Sequence, residues 1–295
     1  PNNPLPDLAS SFVHFKGNNN EQNTVKQVFG AGEGKEGSDA STNIQDKMQQ
    51  RSYVLVNSTA DSTFKYTDIF GAGAFSGLGM QIAQSNRDSS DLDNHSAIVD
   101  LMGGWINDAY GASFNEGVTR RTVVNVPSGS TARMADLFGG GYGSRLTSPC
   151  DVYESHVYWN SGTASCGYLY GGNNNSRRVL YTFVNINEQA WSNKNSGYLT
   201  TVYGAGCGPN TWAEYTNVKL NDKALVYEVY GGGYGGKVLN LESVNAWQAQ
   251  TENDDIEDNE LYTVIGSGYT DLGLDDELVE WNGLVTKTNT NVFIN

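Results

Sequence analysis

The chain has 295 residues with 33 acidic and 18 basic side chains, a net charge of -15. That balance argues against nucleic acid, whose binders cluster Lys and Arg, and against anionic membranes; it suits a protein that repels its own copies or takes up cations. Only 17% of residues are charged, so the polar surface is mostly Asn, Ser, Thr, Gln and Tyr, and no apolar run is long enough to span a bilayer.

Residues 1–24 read as a polar lead-in or cap, with Asn18-Asn19-Asn20 and few apolar anchors. There is no basic n-region followed by an apolar h-region, so an exported protein is expected here in its mature form. A repeat begins at Val25 and recurs through residues 25–295. Its core is an aliphatic residue, a large residue, Gly and a small residue. The copies start at Val28-Phe29-Gly30, Ile69-Phe70-Gly71, Leu101-Met102-Gly103, Leu137-Phe138-Gly139, Leu169-Tyr170-Gly171, Val202-Tyr203-Gly204, Val229-Tyr230-Gly231 and Val264-Ile265-Gly266. Three residues before each start stands another apolar column: Val25, Tyr66, Ile98, Met134, Cys166, Leu199, Val226 and Leu261. Between copies a second pattern recurs, an alternating apolar strand, as in Tyr53–Asn57, Val123–Val126, Val157–Asn160, Phe183–Asn187, Asn217–Asn221 and Asn291–Asn295. Period-two alternation predicts strands with one buried face. Residues 33–50 and the acidic stretch 252–260 read as excursions.

A unit recurring every ~20–50 residues signals a solenoid, propeller or array. These units are short for four-stranded blades, and no Leu/Asn ladder is present. Near-constant cores with uneven spacing predict an all-β fold, a single right-handed parallel β-helix solenoid of about eight coils. The aliphatic column then stacks as an internal ladder. The upstream column has the wrong parity for one straight strand, so a bend is expected between the two, with Asp68, Asp100, Asp136 and Glu228 at the exposed corner. The small fourth column predicts close approach by another layer.

The string Val229-Tyr230-Gly231-Gly232-Gly233-Tyr234-Gly235-Gly236, with strands such as Asn291–Ile294, resembles the glycine-rich parallel β-helix, pectin-lyase-like, adhesin-like surface proteins of gut bacteria. The resemblance covers most of 25–295 and implies an exported, extracellular or cell-surface location. It carries over no catalytic residue.

Enzymes resembling this fold cleave acidic polysaccharides, but the Asn-Thr-Asp, Gly-His-Gly and Arg-Ile-Lys elements of the polygalacturonase type are missing, and Asp254-Asp255 and Asp275-Asp276 are isolated pairs. Arg120-Arg121 and Arg177-Arg178 match a lyase base by residue type alone. His14, His95 and His156 lack zinc spacing. Asp254, Asp255, Glu257 and Asp258 gather the hard oxygens that Ca2+ takes, without an EF-hand pattern. Cys150 and Cys166 flank a polar segment and are a candidate disulfide, with Cys207 left over. Aromatics are the best binding candidates. Tyr170, Tyr203 and Tyr230 occupy one column in consecutive units and are expected to form an exposed strip, joined by Tyr142 and Tyr234; the competing reading is a second small core under loops. The sequence therefore points to adhesion or carbohydrate binding without catalysis, with a glycan or host or cell-surface component as partner and no cofactor beyond a Ca2+ site. Its rivals are a polysaccharide lyase or glycoside hydrolase and an end-to-end self-associating structural subunit.

Overall fold

The computed structural model describes residues 9–16, 25–33, 49–58, 63–64, 67–78, 96–143, 150–193, 195, 197–221, 223–238, 279–281, 284–286 and 290–294. The fold is all-β, and no helix among these residues is long and apolar enough to cross a membrane. The strands alternate along the chain between two large sheets. The first holds the long strands Ala9–Phe15, Gln49–Asn57, Ser96–Gly103, Gly117–Val126, Cys150–Trp159, Arg178–Ile186 and Trp212–Leu220, in chain order and parallel throughout. Its last rung is divided: Lys237–Val238 and Thr290–Ile294 both pair with Trp212–Leu220. The second sheet stacks Gln27–Phe29, Asp68–Phe70, Asp108–Tyr110, Arg133–Phe138, Ser165–Tyr170, Thr201–Tyr203 and Glu228–Tyr230, also parallel.

Each long strand carries one five-residue pattern: a small, mostly hydroxyl residue, any residue, Val, any residue, then a large apolar residue. Register places Val13, Val54, Val99, Val124, Val157, Val184, Val218 and Val292 in a single column. From Val54 to Val218 these valines are buried, each contributing roughly 1.5–3 kcal/mol over leaving it in water. Two residues earlier runs Ser11, Ser52, Ala97, Thr122, Ser155, Thr182, Thr216 and Thr290. The hydroxyls reach across to the other sheet and donate to glycine carbonyls: Ser11 to Gly30, Ser52 to Gly71 at 2.5 Å, Thr122 to Gly139 at 2.6 Å, Ser155 to Gly171 at 2.7 Å, Thr182 to Gly204 at 2.6 Å and Thr216 to Gly231 at 2.7 Å. Ala97 interrupts the row.

These contacts explain the glycine column. A Cβ on Gly30, Gly71, Gly171 or Gly204 would land on the carbonyl oxygen of the glycine one rung on, and within 2.9–3.1 Å of a valine Cγ2 of the long sheet. The glycine gap is filled by backbone on one side and by the valine column on the other.

The aliphatic ladder is real but one member differs. Val28 pairs with Ile69 and Ile69 with Ala109, which leads to Leu137, Leu169, Val202 and Val229. The third copy is therefore Ala109-Tyr110-Gly111-Ala112. Leu101-Met102-Gly103 instead ends a long strand, where Leu101 pairs with Val56. The upstream column accordingly uses Ile106 rather than Ile98 at this rung, and Ile106 joins the core with Met134 and Cys166. The expected bend is present: Met134 and Leu137, three apart, are both buried, while Ala135 between them is exposed. Within the polar lead-in or cap, Ala9–Phe15 is a strand of the long sheet, with Val13 and Phe15 packed on the core. Val264-Ile265-Gly266 lies outside the described residues.

Candidate functional site

The second column of the short strands forms a continuous stack on the outward side of its sheet. Phe29, Phe70, Tyr110, Phe138, Tyr170, Tyr203 and Tyr230 lie face to face, ring centroids 4.7–5.2 Å apart, close to the interstrand spacing that parallel pairing imposes. After each glycine the chain turns and lays a second row against the stack. Phe114 meets Phe70 edge-on at 5.4 Å, Tyr142 meets Tyr110 at 6.0 Å, and Tyr234 meets Tyr203 at 5.8 Å. The close approach expected at the small fourth column is present at two rungs, where a Cβ on Gly140 would meet Asn173 Oδ1 and one on Gly172 the Gly206 backbone N, but not at Gly232, where nothing lies within 4 Å.

The expected three-tyrosine strip is therefore stacked as foreseen but is not a surface strip. Tyr170 and Tyr203 are buried members of a second core, and burial raises both hydroxyl pKa values. Tyr142 belongs to the covering row and stacks on Phe114. Tyr230 is 45% exposed and Tyr234 62%. Tyr168, which the sequence reading missed, is 48% exposed and lies 6.5 Å from Tyr203, ring to ring. Three accessible rings thus meet Tyr203, Tyr230 on its face, Tyr234 edge-on and Tyr168 tilted, with the exposed Tyr227 near Tyr230.

Two positions before the stack, on the same outward side, runs a row of Gln27, Asp68, Asp108, Asp136, Tyr168, Thr201 and Glu228. Asp108 replaces the Asp100 assigned to this corner from the sequence; Asp100 lies on the long sheet, where it accepts from Tyr53 and Asn125. Asp108 accepts the backbone N–H of Asp136 at 3.1 Å, and Asp136 that of Tyr168 at 3.0 Å. Tyr110 donates to Asp108 at 3.2 Å and Tyr230 to Glu228 at 3.0 Å. Four rungs therefore place a carboxylate beside an aromatic ring, with Asp68, Asp108, Asp136 and Glu228 two residues before Phe70, Tyr110, Phe138 and Tyr230.

Burial first, then the neighbouring charges of Asp136 and Asp68, push the Asp108 carboxyl up to about 6; burial also raises Asp136. A folded-state value above the unfolded one stabilises the fold fully below the ordinary carboxylate range near 3.8, and that contribution is lost as pH rises through about 6. Asp108→Asn keeps an acceptor for the Asp136 N–H and never ionises. It is expected to match the parent near pH 4 and to exceed it by roughly 2–3 kcal/mol above pH 6. Urea unfolding from pH 4 to 7.5 measures this; parallel curves for the two proteins would remove the assignment.

The long sheet bears a different outward cluster. Glu154, His156 and Tyr158 alternate along one strand: His156 Nε2 bonds Glu154, and the Tyr158 hydroxyl lies 3.2 Å from His156 Nδ1. Arg121 Nε stands 3.9 Å from Glu154, and Phe183 stacks on His156 at 4.7 Å. Burial opposes the Glu154 charge, but the His156 bond and the positive charges of His156, Arg121 and Arg120 hold its carboxyl below the usual range.

The proposed disulfide is not formed. Cys150, Cys166 and Cys207 are all free thiols; Cys150 and Cys166 are buried in separate apolar clusters, and burial pushes the Cys150 thiol up to about 12. Asp254, Asp255, Glu257 and Asp258 lie outside the described residues. Among the described residues no group of three or more His, Cys, Asp or Glu side chains is arranged to hold a metal ion. No family model, curated protein or solved structure matches the chain.

Proposed function

We propose that the protein is a secreted or cell-surface single right-handed parallel β-helix that binds glycans without turning them over. Strands alternating between two parallel sheets support the β-helix, and parallel crossovers are right-handed in nearly all cases. The observation that carries the function is the grouping of exposed Tyr168, Tyr230 and Tyr234 around Tyr203, beside Asp136 and Glu228. Sugar rings present apolar C–H faces that stack on tyrosine, while their hydroxyls donate to carboxylates.

The test is glycan binding by the parent and by a Tyr168→Ala/Tyr230→Ala/Tyr234→Ala variant. Loss of the three rings is expected to weaken binding about 100-fold, equivalent to about 3 kcal/mol, while the melting temperature stays within a few degrees. Unchanged binding would place the site elsewhere. A polysaccharide lyase or hydrolase remains the second reading because Arg121, Glu154, His156 and Tyr158 form an acid–base chain across two adjacent strands. Release of cleaved or unsaturated sugar by purified protein, lost in His156→Ala, would favour it over binding alone.

A further inference from the structure

The charges beside the tyrosine patch narrow the glycans it takes, given the reading of that patch as a glycan site. Asp68, Asp108 and Asp136 occupy consecutive rungs, and Glu228 closes the row beyond Tyr168 and Thr201. Among the described residues none of the four has a cationic partner within 4.0 Å. The two that border the exposed rings are fixed by their hydrogen bonds: Asp136 to the Tyr168 N–H, Glu228 to the Tyr230 hydroxyl. Both carboxylates therefore lie beside the rings on which a ligand would stack.

An ionised carboxylate is an acceptor only. A sugar hydroxyl can donate to it, whereas a uronate carboxylate brings a second acceptor and a second negative charge to the same place. Two like charges at hydrogen-bond range repel strongly where solvent is partly excluded. Burial is the first cause that raises the Asp108 and Asp136 carboxyls, and at Asp108 the negative charges of Asp136 and Asp68 add to it. The net charge of -15 adds a long-range term of the same sign.

We propose that the patch selects uncharged glycans and rejects uronate-bearing ones, with Asp136 and Glu228 as the charge filter.

The experiment compares matched oligosaccharides that differ only at C6: glucan against glucuronan, galactan against galacturonan, mannan against mannuronan. Binding is measured by calorimetry at about 20 mM salt, where screening is weak. At least one neutral series is expected to bind at least about tenfold more tightly than its uronate partner. The gap is expected to narrow in about 0.5 M salt and again in Asp136→Asn/Glu228→Gln, whose amides keep acceptors for Tyr168 and Tyr230. A uronate that binds as tightly as its neutral partner overturns the filter and leaves the glycan site standing. A gap indifferent to both salt and the double variant overturns it as well. Binding of no member of any series removes the glycan reading, and the filter with it.

Discussion

Gly171→Ala is expected to lower the melting temperature by roughly 6–12 °C, corresponding to about 3 kcal/mol or more. The added methyl would land on the Gly204 carbonyl oxygen and within 2.9 Å of Val184 Cγ2. Neither neighbour can yield cheaply. The Gly204 carbonyl already accepts the Thr182 hydroxyl at 2.6 Å, and Val184 is locked between Val157 and Val218. Moving either one breaks a contact that recurs on the next rung. The internal control is Gly232→Ala, where a methyl meets nothing within 4 Å and a change within about 0.5 kcal/mol is expected. Calorimetry or thermal circular dichroism on both variants decides the point. Equal melting temperatures would mean that the glycine column reflects composition rather than packing.

Phe138→Ala is expected to cost about 3–5 kcal/mol. Its ring is buried between Tyr110 at 4.9 Å and Tyr170 at 4.7 Å, so truncation opens a gap in the middle of the stack that rungs held by two sheets cannot close. The near-UV signal of the stacked tyrosines should change with it. Tyr230→Ala offers the contrast, because among the described residues that ring stacks on one side only, and it is half in water; a stability loss below about 1 kcal/mol is expected there, together with weaker glycan binding. A Phe138→Ala loss as small as that of Tyr230→Ala would show that the stack contributes little to the fold.

Much of this architecture could be read from the chain. The glycine columns at Gly30, Gly71, Gly139, Gly171, Gly204 and Gly231 are in register as expected, and the alternating strands all fall in the long sheet. The miss at the third rung has a physical origin. Ala109-Tyr110-Gly111 buries a small side chain where the other rungs bury a branched one, and Leu101-Met102-Gly103 imitates the pattern a few residues earlier. The first rung was missed although Ser11, Val13 and Phe15 fit the long-strand pattern and Val28-Phe29-Gly30 follows as closely as Ile69-Phe70-Gly71 follows Val56; what sets this strand apart is Lys16, where most of the others close on Asn. The site was less legible. Stacking of Tyr170, Tyr203 and Tyr230 follows from column spacing, but which rings stay accessible depends on where the chain returns after each glycine. Tyr168 carried a signal nonetheless: it stands where the preceding rungs place aspartate.

The divided last rung of the long sheet bears on the order in which the chain assembles. Thr290 is more than twice as far along the chain from Thr216 as Thr216 is from Thr182, yet the register spacing is the same. Each doubling of loop length adds only about 0.6 kcal/mol of closure entropy. That modest penalty falls on a strand with less burial to offset it than the inner rungs have, since Val292 is 39% and Ile294 73% exposed. Docking of Thr290–Ile294 should therefore be a late event, after Lys237–Val238 has begun the rung from the near side. Because that penalty grows so slowly with chain length, a strand can join the end of the long sheet from a distant part of the sequence without shifting any column already in place.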